Sequence, residues 1–229
     1  MYVTWITQAG LVLEGERITV MVDPYLSNSV GERNPLKNRR IPVKEEVFDI
    51  HPDVIIITHD HLDHLDPETL KRFLGREDKP ITVLAPYNAY CKLLEFGGIH
   101  NYVMLNPHSV WSEGGIVFYA VSAEHSDRTA AGFILDDGKQ TYYISGDTLY
   151  NFEVIDDVLD LCEDGVDYAF LPINGVGNNM NITDASDFAE EIGAKCAVPL
   201  HYGLFDDINP KDFDFDKKLI LEPYVRRKL

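Results

Sequence analysis

The 229-residue sequence predicts a layered α/β fold with an interior sheet system. Two observations carry that expectation. Several short segments are apolar on both faces, among them the β-branched "VIIIT" (54–58) and "YAFLPI" (168–173), the pattern of strands covered on both sides. Between such segments run stretches with helical period and helix-end signals, so strands and helices are mixed along the chain. No repeat, low-complexity tract or long linker marks an internal boundary, and residues 1–229 read as a single domain.

The elements follow in order. "YVTWIT", "GLVLEG" and "RITVMVD" read as three strands joined by turns, the last running into Asp23-Pro24. After "VIIIT" a helix is expected, with Asp66 as N-cap, Pro67 at the first helical position and "ETLKRFL" continuing it. "PYNAYCKLLEFGG" reads as a second helix, stopped by Gly97-Gly98. "GIVFYAVSA" and "AAGFILDDGKQTYYIS" are strands, with a hairpin turning on Asp137-Gly138. "FEVIDDVLDLC" is helical in period, with Phe152, Ile155, Val158, Leu159 and Cys162 on one face. "ITDASDFAEEIG" is a helix capped by Thr183 or Asp184 and ended by Gly193, and "KCAVPLHYG" is the last clear strand.

Composition narrows the function classes. With 38 acidic against 20 basic residues the net charge is −18, a surface that repels phosphate backbones and anionic lipids. Neither a nucleic-acid nor a membrane partner is expected, while a homo-oligomer is left open. No apolar run approaches the roughly 20 residues of a membrane span, and the N-terminus lacks a basic, then apolar, leader pattern. Cys91, Cys162 and Cys196 lie far apart and form no C-x-x-C, which reads as three small buried thiols kept reduced in a cytoplasmic protein. Against the acidic balance stands "ERNPLKNRRIPVK" (32–44), expected to be a loop because of Pro35 and Pro42. Its Arg39 and Arg40 are the candidates for holding an anionic substrate.

Four core strands end on an imidazole or a carboxylate: at His59, His125, Asp147 and His201. Strand ends are where an α/β scaffold presents side chains with fixed geometry. The first such end is "THDHLDH" (58–64), which sets His59, His61, Asp63 and His64 directly after a core strand. Residues i and i+2 of an extended segment share a side, so His59 and His61 can grip one ion together. Asp63 and His64 face a neighbouring position, near enough for a second ion. His125 completes the first site and His201 the second, with Asp147 between them. Imidazole and carboxylate without thiolate suit Zn²⁺ or Mn²⁺, with iron as an alternative, bound as one or two ions. Metal ions would supply the partners that such a polar cluster otherwise lacks when buried. His51, His100 and His108 sit in loop-like contexts and read as surface or turn residues.

H-x-H-x-D-H followed by a later His, an Asp in "SGDT" and a final His in "VPLHYG" resembles the metallo-β-lactamase superfamily along nearly the whole chain. The resemblance implies a four-layer αββα sandwich with metals in a cleft at one edge of the sheets, and Asp23 supporting the metal ligands from behind. No Cys stands at the Asp147 position, which separates the chain from class B β-lactamases and makes antibiotic hydrolysis unexpected. "TWITQAGLVLE", "DPYLS", "NPLKNRRIP", "AEHSDRTAAGFIL" and "LPINGVGNNMNITDA" are most similar to the L-ascorbate-6-phosphate lactonase-like branch of metal-dependent hydrolases.

The expected chemistry is hydrolysis by a metal-bound hydroxide, since such a metal lowers the pKa of bound water to about 7. Asp63 would orient the nucleophile or take its proton, and His201 is a candidate proton donor to the leaving group. The substrate reading is a lactone or carboxylic ester of a small anionic metabolite, with a sugar phosphate as one case. "NGVGNNMN" (174–181) is a second candidate lining element. A phosphodiesterase or ribonuclease of the same superfamily is the alternative, opposed by the acidic surface. A non-hydrolytic di-iron redox or sensor protein is the alternative of another class, opposed by His61, where the redox branch typically has Glu.

Overall fold

The computed structural model describes residues 1–229, which divide into two units, each built on one sheet. The first unit comprises Met1–Met104, Gly203–Phe205 and Leu221–Leu229. Its strands are β1 (Tyr2–Trp5), β2 (Leu11–Glu14), β3 (Thr19–Val22), β4 (Val54–Ile56), β5 (Thr82–Ala85), β6 (Asn101–Met104) and, at the far end of the chain, β13 (Arg226–Lys228). They form a sheet of order β13-β1-β2-β3-β4-β5-β6, parallel from β3 to β6 and antiparallel elsewhere. Its helices are α1 (Ser29–Arg33), α2 (Pro67–Leu74) and α3 (Tyr87–Leu93).

One face of this sheet, through Val12, Met21, Ile55 and Val83, belongs to a core cluster with Leu70, Phe73 and Leu74 of α2 and Ala89 and Leu93 of α3. The alternate residues Leu11, Val20, Val22, Val54, Ile56 and Leu84 are also fully buried or nearly so, as the two-sided apolar runs predict. α2 begins as expected: the Asp66 carboxylate accepts from the amides of Glu68 and Thr69, and Pro67 opens the helix. α3 passes into a 3₁₀ turn, Leu94–Phe96, before Gly97 at φ 59°.

The second unit comprises Leu105–Tyr202 and Asp206–Ile220. It contains β7 (Val110–Glu113), β8 (Ile116–Ser122), β9 (Ala131–Asp136), β10 (Thr141–Ile144), α4 (Phe152–Leu161), β11 (Tyr168–Pro172), α5 (Ile182–Glu191) and β12 (Ala197–Leu200). The sheet order is β12-β11-β10-β9-β8-β7, with β10, β11 and β12 parallel and the rest antiparallel. Because β8 and β10 both run antiparallel to β9, strands β8, β10, β11 and β12 all point the same way. No helix of the chain is long and apolar enough to cross a membrane.

Several local expectations are corrected. The β9–β10 turn falls on Gly138-Lys139, one residue later than Asp137-Gly138, because Asp137 N donates to Gln140 O at 3.2 Å. Asp136 and Asp137 then cap the turn amides with their carboxylates, and Gly138 takes the positive φ of 78°. α4 buries Val154, Ile155 and Val158, whereas Phe152 is 66% exposed at the first turn, with the Tyr150 ring edge-on to it. The α5 cap is Asn181, not Thr183 or Asp184; Asp184 instead closes a capping box from the third helical position. Residues 32–44 are not all loop, since Glu32 and Arg33 end α1 and Pro35–Lys37 form a 3₁₀ turn. Cys91 is exposed and Cys162 and Cys196 half-buried, so the three thiols are free but not core residues. The last strand is β13, whose "RRK" carries no apolar signal and forms only because β1 offers it an edge. β5, β6 and β7 also went unread.

His100, expected at the surface or in a turn, is partly buried and bonded at both ring nitrogens. Its Nδ1 accepts from Ile81 N at 3.2 Å, and its Nε2 lies 2.7 Å from Leu74 O.

Candidate metal centre

Within the first unit, β3 and β4 lie side by side and parallel, so their C-terminal ends deliver Asp23 and Thr58-His59 to neighbouring positions. Asp23 has no exposed surface and holds φ at 41°, a left-handed backbone that Asp tolerates better than bulky residues. Its carboxylate accepts from Thr58 N at 2.8 Å and Thr58 Oγ1 at 2.6 Å. His64 Nδ1 stands 2.7 Å from the same Oδ2. An ionised carboxylate only accepts, so His64 carries its proton on Nδ1 and keeps the Nε2 lone pair. Thr58 Oγ1, having given its proton to Asp23, accepts from His59 Nδ1 at 3.0 Å, which leaves His59 Nε2 as the lone-pair nitrogen too.

One buried carboxylate thus sets the tautomer of two histidines, directly for His64 and through a hydroxyl for His59. Such an arrangement orients imidazoles toward an ion and raises their basicity. The rings of His59 and His64 lie 4.0 Å apart and those of His59 and His61 4.6 Å. Ligand atoms of His59 come within 4.8 Å of those of His61 and of His64, and the same holds between Asp63 and His64. The Asp63 carboxylate accepts from Gln8 Nε2 at 2.8 Å, a buried amide in the β1–β2 loop.

Within the second unit, the like-directed strands β8, β10 and β12 are followed by His125, Asp147 and His201, each nearly buried. His125 Nδ1 lies 3.1 Å from the Asn178 carbonyl, so it donates there and presents Nε2. His201 Nε2 stands 3.3 Å from Asp147 Oδ1, and His201 holds φ at 58°, a strained value for a non-glycine residue. Burial pushes the neighbouring Tyr202 phenol up to about 12, so it stays protonated at neutral pH.

All seven ligand candidates therefore sit at or just after strand ends, where the sequence put them. Donor type fits a divalent ion in both units: three histidines have Nδ1 tied back, which makes Nε2 the nitrogen for an ion, with carboxylates beside them. The supporting roles of Thr58 and Gln8 were missed, and Asn178 lies in the 174–181 stretch expected to line the site, without its bond to His125 having been foreseen. Thr58 had a signal, being the hydroxyl directly before His59; Gln8 and Asn178 act across long sequence separations.

The two arginines differ in their surroundings. Arg39 is half-buried and donates to Ser27 O at 3.1 Å, to Tyr25 O at 2.9 Å and twice to Thr7 Oγ1, with its guanidinium over the Tyr25 ring. Burial lowers its pKa, partly offset by Tyr224 and Tyr25. These contacts tie residues 25–39 to the β1–β2 loop. Arg40 is exposed, and its amide donates to Leu204 O at 3.2 Å.

A family model described as a beta-lactamase superfamily domain matches residues 19–202, and the chain belongs to that superfamily. Among its relatives is a metal-dependent hydrolase of Pyrobaculum islandicum, 28% identical over 93% of this chain and 90% of that protein. The structure of Igni18, a metallo hydrolase from Ignicoccus hospitalis, matches 100% of this chain and 98% of its own with a TM-score of 0.78 at 20% identity. The metallo-β-lactamase fold protein YhfI from Bacillus subtilis matches 99% of each chain with a TM-score of 0.72 at 16% identity. The fold is the metallo-β-lactamase fold expected from the sequence.

Proposed function

We propose that this metal-dependent hydrolase of the metallo-β-lactamase superfamily opens a lactone or another carboxylic ester on a small anionic metabolite. The observation that carries the reading is the set of histidines whose Nδ1 atoms are already engaged, His59 by Thr58, His64 by Asp23 and His125 by Asn178. Burying such groups makes chemical sense when Nε2 is reserved for an ion. The naming of relatives as metal-dependent hydrolases supports it.

In this reading His59, His61, Asp63 and His64 of the first unit and His125, Asp147 and His201 of the second would supply the ligands for one or two divalent ions. The donor set suits Zn²⁺ or Mn²⁺. Bound there, a divalent ion supplies Lewis-acid polarisation and lowers the pKa of water to about 7. Asp63, fixed by Gln8, orients the attacking water and accepts its proton. The proton that Asp63 accepts is the one to be returned to the leaving alkoxide, with His201, 3.3 Å from Asp147, as the alternative donor where it does not hold an ion. Arg39 fastens the basic segment 32–44, and the substrate's anion is assigned to that segment's exposed cations, Arg40 among them.

The test is acid release from a panel of lactones and esters bearing phosphate or carboxylate, using Zn²⁺- or Mn²⁺-loaded protein with His61→Ala as the blank. Turnover lost in the variant supports the reading. Absence of turnover in metal-loaded protein, with phosphodiesters cleaved instead, overturns it.

A further inference from the structure

A cavity of about 410 Å³ lies in the first unit, lined by Arg33, Asp60, His61, Leu62, Leu65, Pro67 and Lys92. Leu62, Leu65 and Pro67 make an apolar wall, and two cations stand at it in a protein of net charge −18. Lys92 is held in place: Nζ lies 2.6 Å from Asp60 Oδ2 and donates to Asp60 O at 3.2 Å. Arg33, exposed at the end of α1, has no acidic partner. His61, a proposed metal ligand, lines the same space, so a molecule reaching the reacting centre past His61 passes this wall.

We propose that this cavity is a substrate-specificity site that takes a carboxylate carried on an apolar arm of the ester or lactone, with Arg33 as the residue that grips it. The inference rests on the hydrolase reading and deepens it by naming the anion. Local charge makes the choice. Among the lining side chains Arg33 and Lys92 contribute two positive charges and Asp60 removes one, which leaves one net positive charge on the lining to pair with one carboxylate. Arginine's planar fork suits a carboxylate in two-point contact, and Lys92, positioned by Asp60, supplies a second donor. The leucine and proline wall accommodates the methylenes or ring between that carboxylate and the scissile group.

The test compares two esters of similar size with metal-loaded, full-length protein: 4-nitrophenyl butyrate and mono(4-nitrophenyl) glutarate. The wild type is expected to favour the glutarate ester in kcat/KM, and Arg33→Glu to lower that preference about tenfold or more, the effect of one charge-assisted hydrogen bond. Arg17→Glu, an exposed charge reversal at the β2–β3 turn, controls for overall charge and should leave the preference in place. Binding is read separately by titrating benzoate and following the Arg33 Nε–Hε resonance by NMR, assigned with Arg33→Gln. A saturable shift, weakened in Lys92→Gln, supports the site.

If neither ester turns over but benzoate shifts Arg33, ester hydrolysis fails and the carboxylate site stands. If both esters turn over, Arg33→Glu keeps the preference and benzoate leaves Arg33 unmoved, the site is overturned while hydrolysis stands. Stronger shifts from phenyl phosphate than from benzoate would overturn the assignment of the anion as a carboxylate.

Discussion

Replacing Asp23 by Asn changes one atom of a buried side chain, yet the geometry predicts that it disturbs two metal-ligand candidates. Asp23 takes three donors: Thr58 N at 2.8 Å, Thr58 Oγ1 at 2.6 Å and His64 Nδ1 at 2.7 Å. An Asn that keeps its oxygen toward Thr58 N points its NH₂ at the other two, both of which are donors. His64 must then move its proton to Nε2, losing the lone pair meant for the ion. The Thr58 hydroxyl must reverse, and the hydrogen bond from His59 Nδ1 reverses with it. Hydrogen bonds to a buried charge are worth about 1.5–3 kcal/mol each and are not additive. With two of three lost or inverted at a site without solvent, the expected loss of stability is about 3–5 kcal/mol, as for a broken buried pair. Metal affinity should fall about 10- to 100-fold, the usual effect of removing a partner behind a ligand. Urea unfolding of metal-free protein measures the first quantity, and competition with a chromophoric chelator the second. A stability loss below about 1 kcal/mol together with Zn²⁺ affinity within about twofold of wild type would refute the tautomer argument.

Other substitutions test separate parts of the structure. Arg39→Ala removes the bonds to Ser27, Thr7 and Tyr25 and should destabilise the protein by about 2–3 kcal/mol in urea titrations, because the guanidinium fastens residues 25–39. Gly165→Ala should cost more than about 2 kcal/mol in thermal or urea unfolding: φ is +80° there, and a Cβ would stand 2.1 Å from Gly193 O, which is backbone. Asp167 is partly buried, which raises its pKa, but the Thr141 amide and Lys195 outweigh that and hold it below the usual carboxylate value. A depressed pKa stabilises the fold above the unfolded value and ceases to do so as pH falls through the folded one. Asp167→Asn should therefore be less stable than wild type by about 1 kcal/mol at pH 7. The gap should narrow below about pH 4, as unfolding midpoints across pH would show.

The legible parts of this sequence were those encoded by neighbours. Two-sided apolar runs announced β4, β11 and β12, and Asp66-Pro67 announced the start of α2, since each depends on a few adjacent residues. The positions of His59, His125, Asp147 and His201 at strand ends were legible for the same reason. What depended on distant partners was not. β13 exists because β1 offers hydrogen bonds to a charged segment more than two hundred residues away. Gln8 reaches Asp63, and Arg33 and Lys92 share a cavity, only once the chain has folded. The surroundings of Arg39 are of this kind: in sequence it is one cation in a basic run, while in the fold it donates to Thr7, Ser27 and Tyr25. Phe152 shows the limit of periodicity, since helical phase put it on the apolar face but its place in the first turn of α4 left it outside.

The most direct test is the metal content of the purified chain, measured by mass spectrometry after exposure to Zn²⁺ and Mn²⁺ and removal of loose ions. Wild-type protein should retain one or two divalent ions per chain. His59→Ala, from the first unit, and His201→Ala, from the second, should each lower that number, while Arg17→Glu leaves it unchanged. Wild-type protein that stays folded and retains less than about a tenth of an ion per chain would contradict the assignment of these residues as a metal centre.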